Sequence, residues 1–394
     1  MKFAKGAALL ICIILMTVST ALAKDTIKIG AIFAITGPAS FLGAPEAKTL
    51  EMMVNDINRK GGIKGKTITL IIKDSGGSPE KAFSFAKQLI EEDKVLAIIG
   101  PSTSGETMKI KNVAEEGKTI LLSCSAAEAI VNPVAKYVFK TPQKDNYAVI
   151  KIFDQMKKMN LSKLGVLSSN TGFGKAGKEQ IEKLAAEHGI KVVSSEVYDK
   201  AATDLTAEVT KVKASGAQAL LNWSIEPAQS IVIKNARQIG FSGPIFQSHG
   251  FGNIKYVKAA GVAAEGVIFP AGRLLIADSL PRNNPQKPVL ESYKKEYEAK
   301  YHEDASTFGG HAYDAMLILR AAIEKANSTD KEAVRSAIEG LKGVVGTGGI
   351  FNFSPADHNG LGIDSFEMLT VKKGRFVMLE QKPESNKGKK KVKK

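Results

Sequence analysis

Val95-Leu-Ala-Ile-Ile-Gly-Pro-Ser-Thr-Ser-Gly-Glu-Thr107 opens as a short apolar run, breaks at Gly-Pro, and continues through three hydroxyl residues toward a helical pattern. A short, fully apolar run reads as a strand buried on both faces, as in parallel sheets. Parallel neighbours need a crossover, usually a helix. The pattern supplies one on each side. Downstream, a helix is predicted over 105–116 and a strand over 119–123. Upstream, Thr26 to Phe33 is a strand rich in β-branched residues. The helix predicted over 45–59 places Pro45 in its first turn and Gly61-Gly62 past its end, with Ala47, Leu50, Val54 and Ile57 on one face. A second strand covers 67–73. Ser78-Pro79 then opens a helix whose Ala82, Phe85, Ala86, Leu89 and Ile90 form a stripe.

After Thr141-Pro142-Gln143 the alternation restarts. Strands are predicted over 163–168, 191–197, 217–222 and 244–247, and helices over 145–159, 175–188, 205–214 and 227–239. The last third is mixed. Helices over 289–300, 310–326 and 331–339 follow a loop at Pro281–Pro285; a turn and strand over 346–353 and a closing hairpin over 366–371 and 375–379 complete it. Repeated strand–helix–strand units imply mostly parallel sheets flanked by helices, with right-handed crossovers. The chain has 394 residues, too many for one compact core. Two similar sheets therefore suggest two lobes with a cleft between them.

The chain is 44% hydrophobic and 24% charged, an ordinary globular composition. Its first residues read differently. Lys2 and Lys5 precede an apolar run from Ala7 to Val18, and Ala21-Leu22-Ala23 has the small-residue cleavage pattern. Residues 1–23 are read as a secretory signal peptide cleaved after Ala23, which places the mature protein outside the inner membrane. The apolar run is short for a membrane span. Bulky Ile11 before Cys12 argues against lipid attachment. After cleavage only Cys124 remains, so no internal disulfide is expected, and Cys124 is read as a small buried hydrophobe. The net charge is +15, much of it in Lys387–Lys394. Residues 382–394 are expected to form a solvated, disordered basic tail. Export argues against nucleic acid as its partner.

Chemistry is expected in the loops after the strands, where open α/β sheets bind ligands. Ser102, Thr103 and Ser104 offer hydroxyls and amides ahead of a helix, an arrangement that stabilises a carboxylate. Helix capping explains the same residues equally well. The run is not G-x-S-x-G, so no hydrolase elbow is indicated. Ser123-Cys-Ser-Ala-Ala127 repeats the small, hydroxyl-rich character one strand later. Gly172-Phe173-Gly174-Lys175-Ala176-Gly177 matches G-x-G-x-x-G, with Glu196 at the distance of a ribose-binding acid. An NAD-dependent dehydrogenase is thus the rival from another class; the export signal and the match's mid-chain position count against it. His188, His249, His302, His311 and His358 are scattered without H-E-x-x-H or C-x-x-C spacing, so neither a metal nor a cofactor is expected. His311 and Asp314 lie three apart on a predicted helix and are expected to pair. Trp223 either lines the cleft or packs the core.

Six segments occur in an order that resembles one family: Asp25-Thr-Ile-Lys-Ile-Gly-Ala31, Ile35-Thr-Gly-Pro38, Ile99-Gly-Pro-Ser-Thr-Ser104, Lys140-Thr-Pro-Gln143, Gly172-Phe-Gly174 and His311-Ala-Tyr-Asp-Ala315. The chain resembles the periplasmic binding proteins of branched-chain amino acid ABC transporters, the Leu/Ile/Val-binding type, over nearly the whole mature sequence. The resemblance implies an α/β, type I periplasmic binding fold: two Rossmann-like lobes of parallel sheets flanked by helices, joined by a three-crossing hinge. Lobe one would take 24–143 and 272–347, and lobe two 144–271 and 348–381. The ligand would bind lobe one first and be buried by hinge closure.

By position, the resemblance assigns Ser104 to the hydroxyl that holds the ligand carboxylate, and Ser125 and Ala127 to the later loop. Family members usually have Thr where Ala127 stands. Phe41 matches the first-loop residue that flanks the ligand, Phe173 an aromatic of lobe two, and Trp223 and Ser224 the next loop. His249 is the departure: amino-acid binders place an acid near it to pair with the ligand ammonium, and a buried ammonium needs such a partner. Aromatic or aliphatic acids without an α-amino group become plausible ligands, unless Asp199 or Glu226 supplies the charge. The implied protein is a monomeric, non-enzymatic solute binder. It would capture a hydrophobic or branched-chain amino acid or related small carboxylate and deliver it to ABC transporter membrane subunits. A sensor acting through a separate partner is a further alternative.

Overall fold

The computed structural model describes residues 26–380, so the expected signal peptide and basic tail lie outside the described residues. The first sheet holds β1 (Thr26–Phe33), β2 (Thr67–Asp74), β3 (Ala97–Ile99), β4 (Ile120–Ser123) and β5 (Val138–Lys140). Their order is β2-β1-β3-β4-β5, and every pairing is parallel. Helices α1 (Ser40–Arg59), α2 (Pro79–Lys87) and α3 (Ser104–Glu116) make the crossovers. β3 is fully buried along its length, as its apolar sequence predicts.

The second sheet repeats the plan. It contains β6 (Lys163–Ser169), β7 (Lys191–Tyr198), β8 (Ala219–Trp223), β9 (Ile245–Gln247) and β10 (Ile268–Ala271). Their order β7-β6-β8-β9-β10 reproduces that of the first sheet. The helices are α4 (Asp145–Lys158), α5 (Gly172–Ala185), α6 (Thr206–Ala214), α7 (Ala228–Gln238) and α8 (Ile254–Ala260). Then come α9 (Lys287–Tyr301), α10 (Thr307–Ala326), α11 (Lys331–Glu339) and the two-residue strands β11 (Val344–Val345) and β12 (Ile350–Phe351). The hairpin β13 (Glu367–Lys372) and β14 (Arg375–Met378) adds antiparallel to β10, which closes the second sheet.

The chain therefore passes between the sheets three times: after β5, after β10, and between Leu361 and β13. Packing does not follow the expected boundary at 347. Phe351, Phe353 and Leu361 join the apolar core of the first sheet, and the His358 ring stacks on Phe139 with centroids 4.1 Å apart. Helix α9 lies across both units: its Tyr297 and Leu290 pack in the core around the second sheet, while the Tyr293 hydroxyl is 2.8 Å from Thr49 Oγ1 of α1.

Several helices start earlier than the sequence expectation, among them α1, α5 and α10, the last at Thr307 rather than 310. Helix α1 begins at Ser40, so Pro45 is inside it rather than in its first turn. A proline there leaves the carbonyl four residues earlier, that of Phe41, without its helical donor. The Asn253 side-chain amide donates to that oxygen at 2.9 Å. Helix α5 begins at Gly172, three residues early, because the Thr171 side chain accepts from Gly174 N–H and caps it.

Candidate functional site

Equal strand order aligns the carboxyl ends of both sheets on one cleft, at the two switch points where crevices form. A narrow cavity lies there, with about 20 Å³ of space open to a water-sized sphere. From the first sheet it receives Ser102 and Ser104 after β3, and Cys124, Ser125 and Ala126 after β4. From the second it receives Phe173 after β6, Ile225 after β8, and His249 and Gly250 after β9. Leu42, Pro142, Phe308 and His311 complete the lining. A neighbouring chamber of about 190 Å³ shares Phe173 and Ile225 with it and is bordered by Thr103, Lys200 and Glu226.

The hydroxyls divide the labour that the sequence left open. Thr103 takes the capping role: its side chain and that of Glu106 form a reciprocal capping box on α3. Ser104 is freed to face the cavity, where its Oγ accepts the Ala127 N–H at 3.3 Å. Ser102 donates to Glu46 and accepts from Ala34 N–H at 3.0 Å. Burial pushes the Glu46 carboxyl well above the usual range. Ser125 donates to the Pro101 carbonyl at 2.9 Å.

Two imidazoles enter from opposite sides. His249 is 8% exposed, and neither ring nitrogen has a hydrogen-bond partner. Its ring meets Phe173, Trp223 and Phe366 edge-on at centroid distances of 5.4, 5.6 and 5.5 Å. His311 of α10 is 6% exposed, and its Nδ1 is likewise unpartnered. The expected His311–Asp314 pair does not form. Asp314 instead accepts from the N–H groups of Thr347 and Gly348, at 2.6 and 2.7 Å. Burial, then the Lys140 charge, holds both imidazoles neutral: His249 lies well below its usual pKa and His311 falls to about 3. Among the described residues, no acidic one lines the cavity.

Of the sequence-named residues, Ser104, Ser125, Phe173 and His249 line the cavity together. The other four stand behind it. Phe41 turns to Tyr256, with ring centroids 5.2 Å apart, and its neighbour Leu42 takes the lining position. Ala127 is buried and contributes its N–H to Ser104. Trp223 is fully buried against Phe173 and His249. The Ser224 hydroxyl donates to Glu226 at 2.7 Å. Glu226 borders the outer chamber, and Asp199 binds the Asn170 amide at 2.9 Å, so neither alternative acid lines the cavity. Sequence reasoning did not assign Leu42, Pro142, Ile225, Gly250 or Phe308 to the site; Leu42, Ile225 and Gly250 adjoin the named Phe41, Ser224 and His249, and Pro142 lies within Lys140-Thr-Pro-Gln143. His311 was named for a different role.

The G-x-G-x-x-G glycines are accounted for by packing. A Cβ on Gly174 would lie 1.9 Å from the Ser169 carbonyl oxygen, and one on Gly177 would lie 2.1 Å from the Trp223 indole nitrogen. A Cβ on Gly172 would lie 2.6 Å from the Gly105 Cα across the cleft. The hexapeptide is helical throughout, so it forms no loop ahead of the helix. Among the described residues, no group of three or more His, Cys, Asp or Glu is placed to hold a metal ion, and no helix is long and apolar enough to cross a membrane.

Comparison with known proteins agrees with this architecture. Residues 26–375 match the family described as periplasmic binding protein. The leucine-, isoleucine-, valine-, threonine-, and alanine-binding protein of Pseudomonas aeruginosa is 26% identical over 325 residues, covering 81% of this chain and 84% of that one. An extracellular ligand-binding receptor from Rhodopseudomonas palustris HaA2 superposes with a TM-score of 0.85 at 27% identity, over 90% of this chain and all of that one. LivJ, the branched-chain amino acid transporter substrate-binding protein of Streptococcus pneumoniae, solved in complex with isoleucine, gives a TM-score of 0.77 at 25% identity. That match covers 89% of this chain and 98% of LivJ.

Proposed function

The chain belongs to the periplasmic binding protein family, and from that premise we propose that it is the extracytoplasmic substrate-binding component of an ABC importer. It captures a small hydrophobic carboxylate, the class that includes branched-chain amino acids, and has no catalytic role of its own. The observation that supports this reading is the cavity between the carboxyl ends of two like-ordered parallel sheets. Ser104 and the backbone at Ala126 would hold the carboxylate at the N-terminal end of α3. Phe173, Ile225 and Phe308 would cover the apolar part. Ser125 and His249 are assigned to the same site. Phe41, Ala127, Trp223 and Ser224 support the residues that touch the ligand.

Hinge closure accounts for the contacts between the two units. Gly105 meets Gly172, and Asn253 bonds Phe41. We assign residues 26–143 and 302–361 to one lobe, and 144–271 and 366–380 to the other, with α9 bridging them. The monomer is the binding unit, and the closed form is what the membrane subunits would recognise.

The relatives' names support a branched-chain amino acid as ligand; the acid-free lining supports a carboxylate without an amino group. Trp223 is the only tryptophan in the sequence and packs against Phe173 and His249, so its fluorescence reports on the site. The test titrates the mature protein with aliphatic amino acids, their deaminated analogues, and benzoate- and cinnamate-type acids. Saturable one-to-one binding is expected. A ligand at a hundred times its Kd adds about 2.7 kcal/mol of stability, visible as a melting shift. Silence across the panel would overturn the carboxylate-binding reading.

A further inference from the structure

We propose that the cavity selects a small monocarboxylate bearing an uncharged hydroxyl or carbonyl group, and no ammonium, beside His249. The inference rests on the reading of the cleft as a carboxylate-binding site and narrows its ligand. The His249 ring is more than nine-tenths buried, caged by Phe173, Trp223 and Phe366, and both its nitrogens lack partners. Buried polar atoms in native proteins are nearly always hydrogen-bonded. A neutral imidazole offers one donor and one acceptor, which a hydroxyl satisfies with either polarity and a carbonyl satisfies as acceptor. His311 Nδ1, also unpartnered, reaches the same space from α10.

An ammonium would have no counter-ion there. Among the described residues, no lining one is acidic. Two carboxyl groups behind the lining have partners of their own: Glu226 Oε2 accepts from the Ser224 hydroxyl and the Ile225 N–H, and Glu46 Oε2 accepts from Ser102, while Glu46 Oε1 is buried without a partner. A buried cation lies beside the site, with the Asp145 and Glu128 carboxyl groups near it. Lys140 is fully buried, its ammonium donating to the Ala126 carbonyl on the cavity wall, and its charge bears on both imidazoles. An ammonium buried there without a carboxylate partner would carry the cost of an unpaired charge.

The test is calorimetric titration of the mature chain with two matched triads: leucine, hydroxyisocaproate and isocaproate; phenylalanine, phenyllactate and phenylpropanoate. In at least one triad the hydroxy acid should bind tenfold or more tightly than both its amino and its plain counterparts. His249→Phe, which keeps a ring in the cage, should remove that tenfold advantage over the plain acid. Tighter binding of either amino acid than its hydroxy counterpart would overturn the proposal and leave the carboxylate-solute reading intact. Binding of the plain acids with no advantage for the hydroxy acids would also overturn it. Failure of all six compounds to bind would overturn the carboxylate reading and the proposal with it. The ligand comparison on the unsubstituted chain stands even if His249→Phe does not fold.

Discussion

The side-chain amide of Asn253, beyond β9 of the second sheet, donates to the backbone carbonyl of Phe41 in α1 of the first, at 2.9 Å. That oxygen is available because Pro45, four residues on, has no N–H to give it. On the proposed hinge closure, the bond would join the two units only while the cleft is shut. Asn253 Oδ1 also caps α8 by accepting from Lys255 N–H at 2.9 Å, so Asn253→Asp keeps the cap and loses the donor. Affinity should fall roughly tenfold, the effect of losing one hydrogen bond of about 1–1.5 kcal/mol, and most of the loss should appear as faster dissociation. The unliganded melting temperature should change little. Stopped-flow Trp223 fluorescence measures the rates, and an unchanged dissociation rate would show that the bond does not hold the cleft closed.

Ser104 and Ser125 both line the cavity, yet their hydroxyls are committed differently. Ser104 Oγ accepts one long bond, from Ala127 N–H at 3.3 Å. Ser125 Oγ donates to the Pro101 carbonyl and lies 2.9 Å from the Thr107 hydroxyl. Ser104→Ala should therefore weaken binding by about 1.5–3 kcal/mol, the cost of a bond to a charged group, with a small loss of stability. Ser125→Ala should lower the melting temperature more than it lowers affinity. Titration calorimetry and thermal denaturation of both variants separate the roles. The reverse order would place the carboxylate on Ser125.

Two glycines of one hexapeptide should fail in different ways. A Cβ on Gly172 meets Gly105 across the cleft, whereas a Cβ on Gly177 meets the Trp223 indole within one unit. Gly172→Ala should fold with near-normal stability and lose affinity, because its clash exists only on closure. Gly177→Ala should lose about 1–3 kcal/mol of stability through overpacking, with a shifted Trp223 emission. Denaturant melts and ligand titrations of both variants check this. Equal destabilisation by both would mean that the Gly105–Gly172 approach belongs to the fold and not to closure.

The alternation of strands and helices was legible because apolar periodicity is a local property of sequence. β5 and β10 were not, for local reasons too. Val138–Lys140 is three residues long, and Ile268–Ala271 contains Pro270, which the rules for strands disfavour. Pro45 misled in the opposite sense: its place inside α1 depends on Asn253, two hundred residues away. The site was half legible. Residues at strand ends, such as Ser104, Ser125, Phe173 and His249, follow from topology once the sheets are known. Phe308 and His311 come from α10, whose docking against the cavity is set by tertiary packing that no local pattern encodes.

His311 should set part of the acid response of the unliganded protein. Its folded pKa is depressed to about 3 by burial and by the Lys140 charge, while in the unfolded chain it returns to about 6.5. Below pH 6.5 the unfolded chain therefore binds a proton that the folded one refuses. Stability falls as pH drops through this window, by up to about 1.4 kcal/mol per unit, until the folded ring titrates near pH 3. Asp314 works against this. Burial raises its folded pKa to about 7, so the folded chain holds a proton that the unfolded one releases above about pH 4, and stability rises as pH falls from 7. The two windows overlap and hide each other in the parent. His311→Phe removes only the first, and the Nδ1 it deletes has no bond to lose. The variant should gain stability relative to the parent steadily between pH 6.5 and 4, measured by thermal melts across that range. A difference that stays flat with pH would mean that the His311 ring is not held neutral in the folded protein.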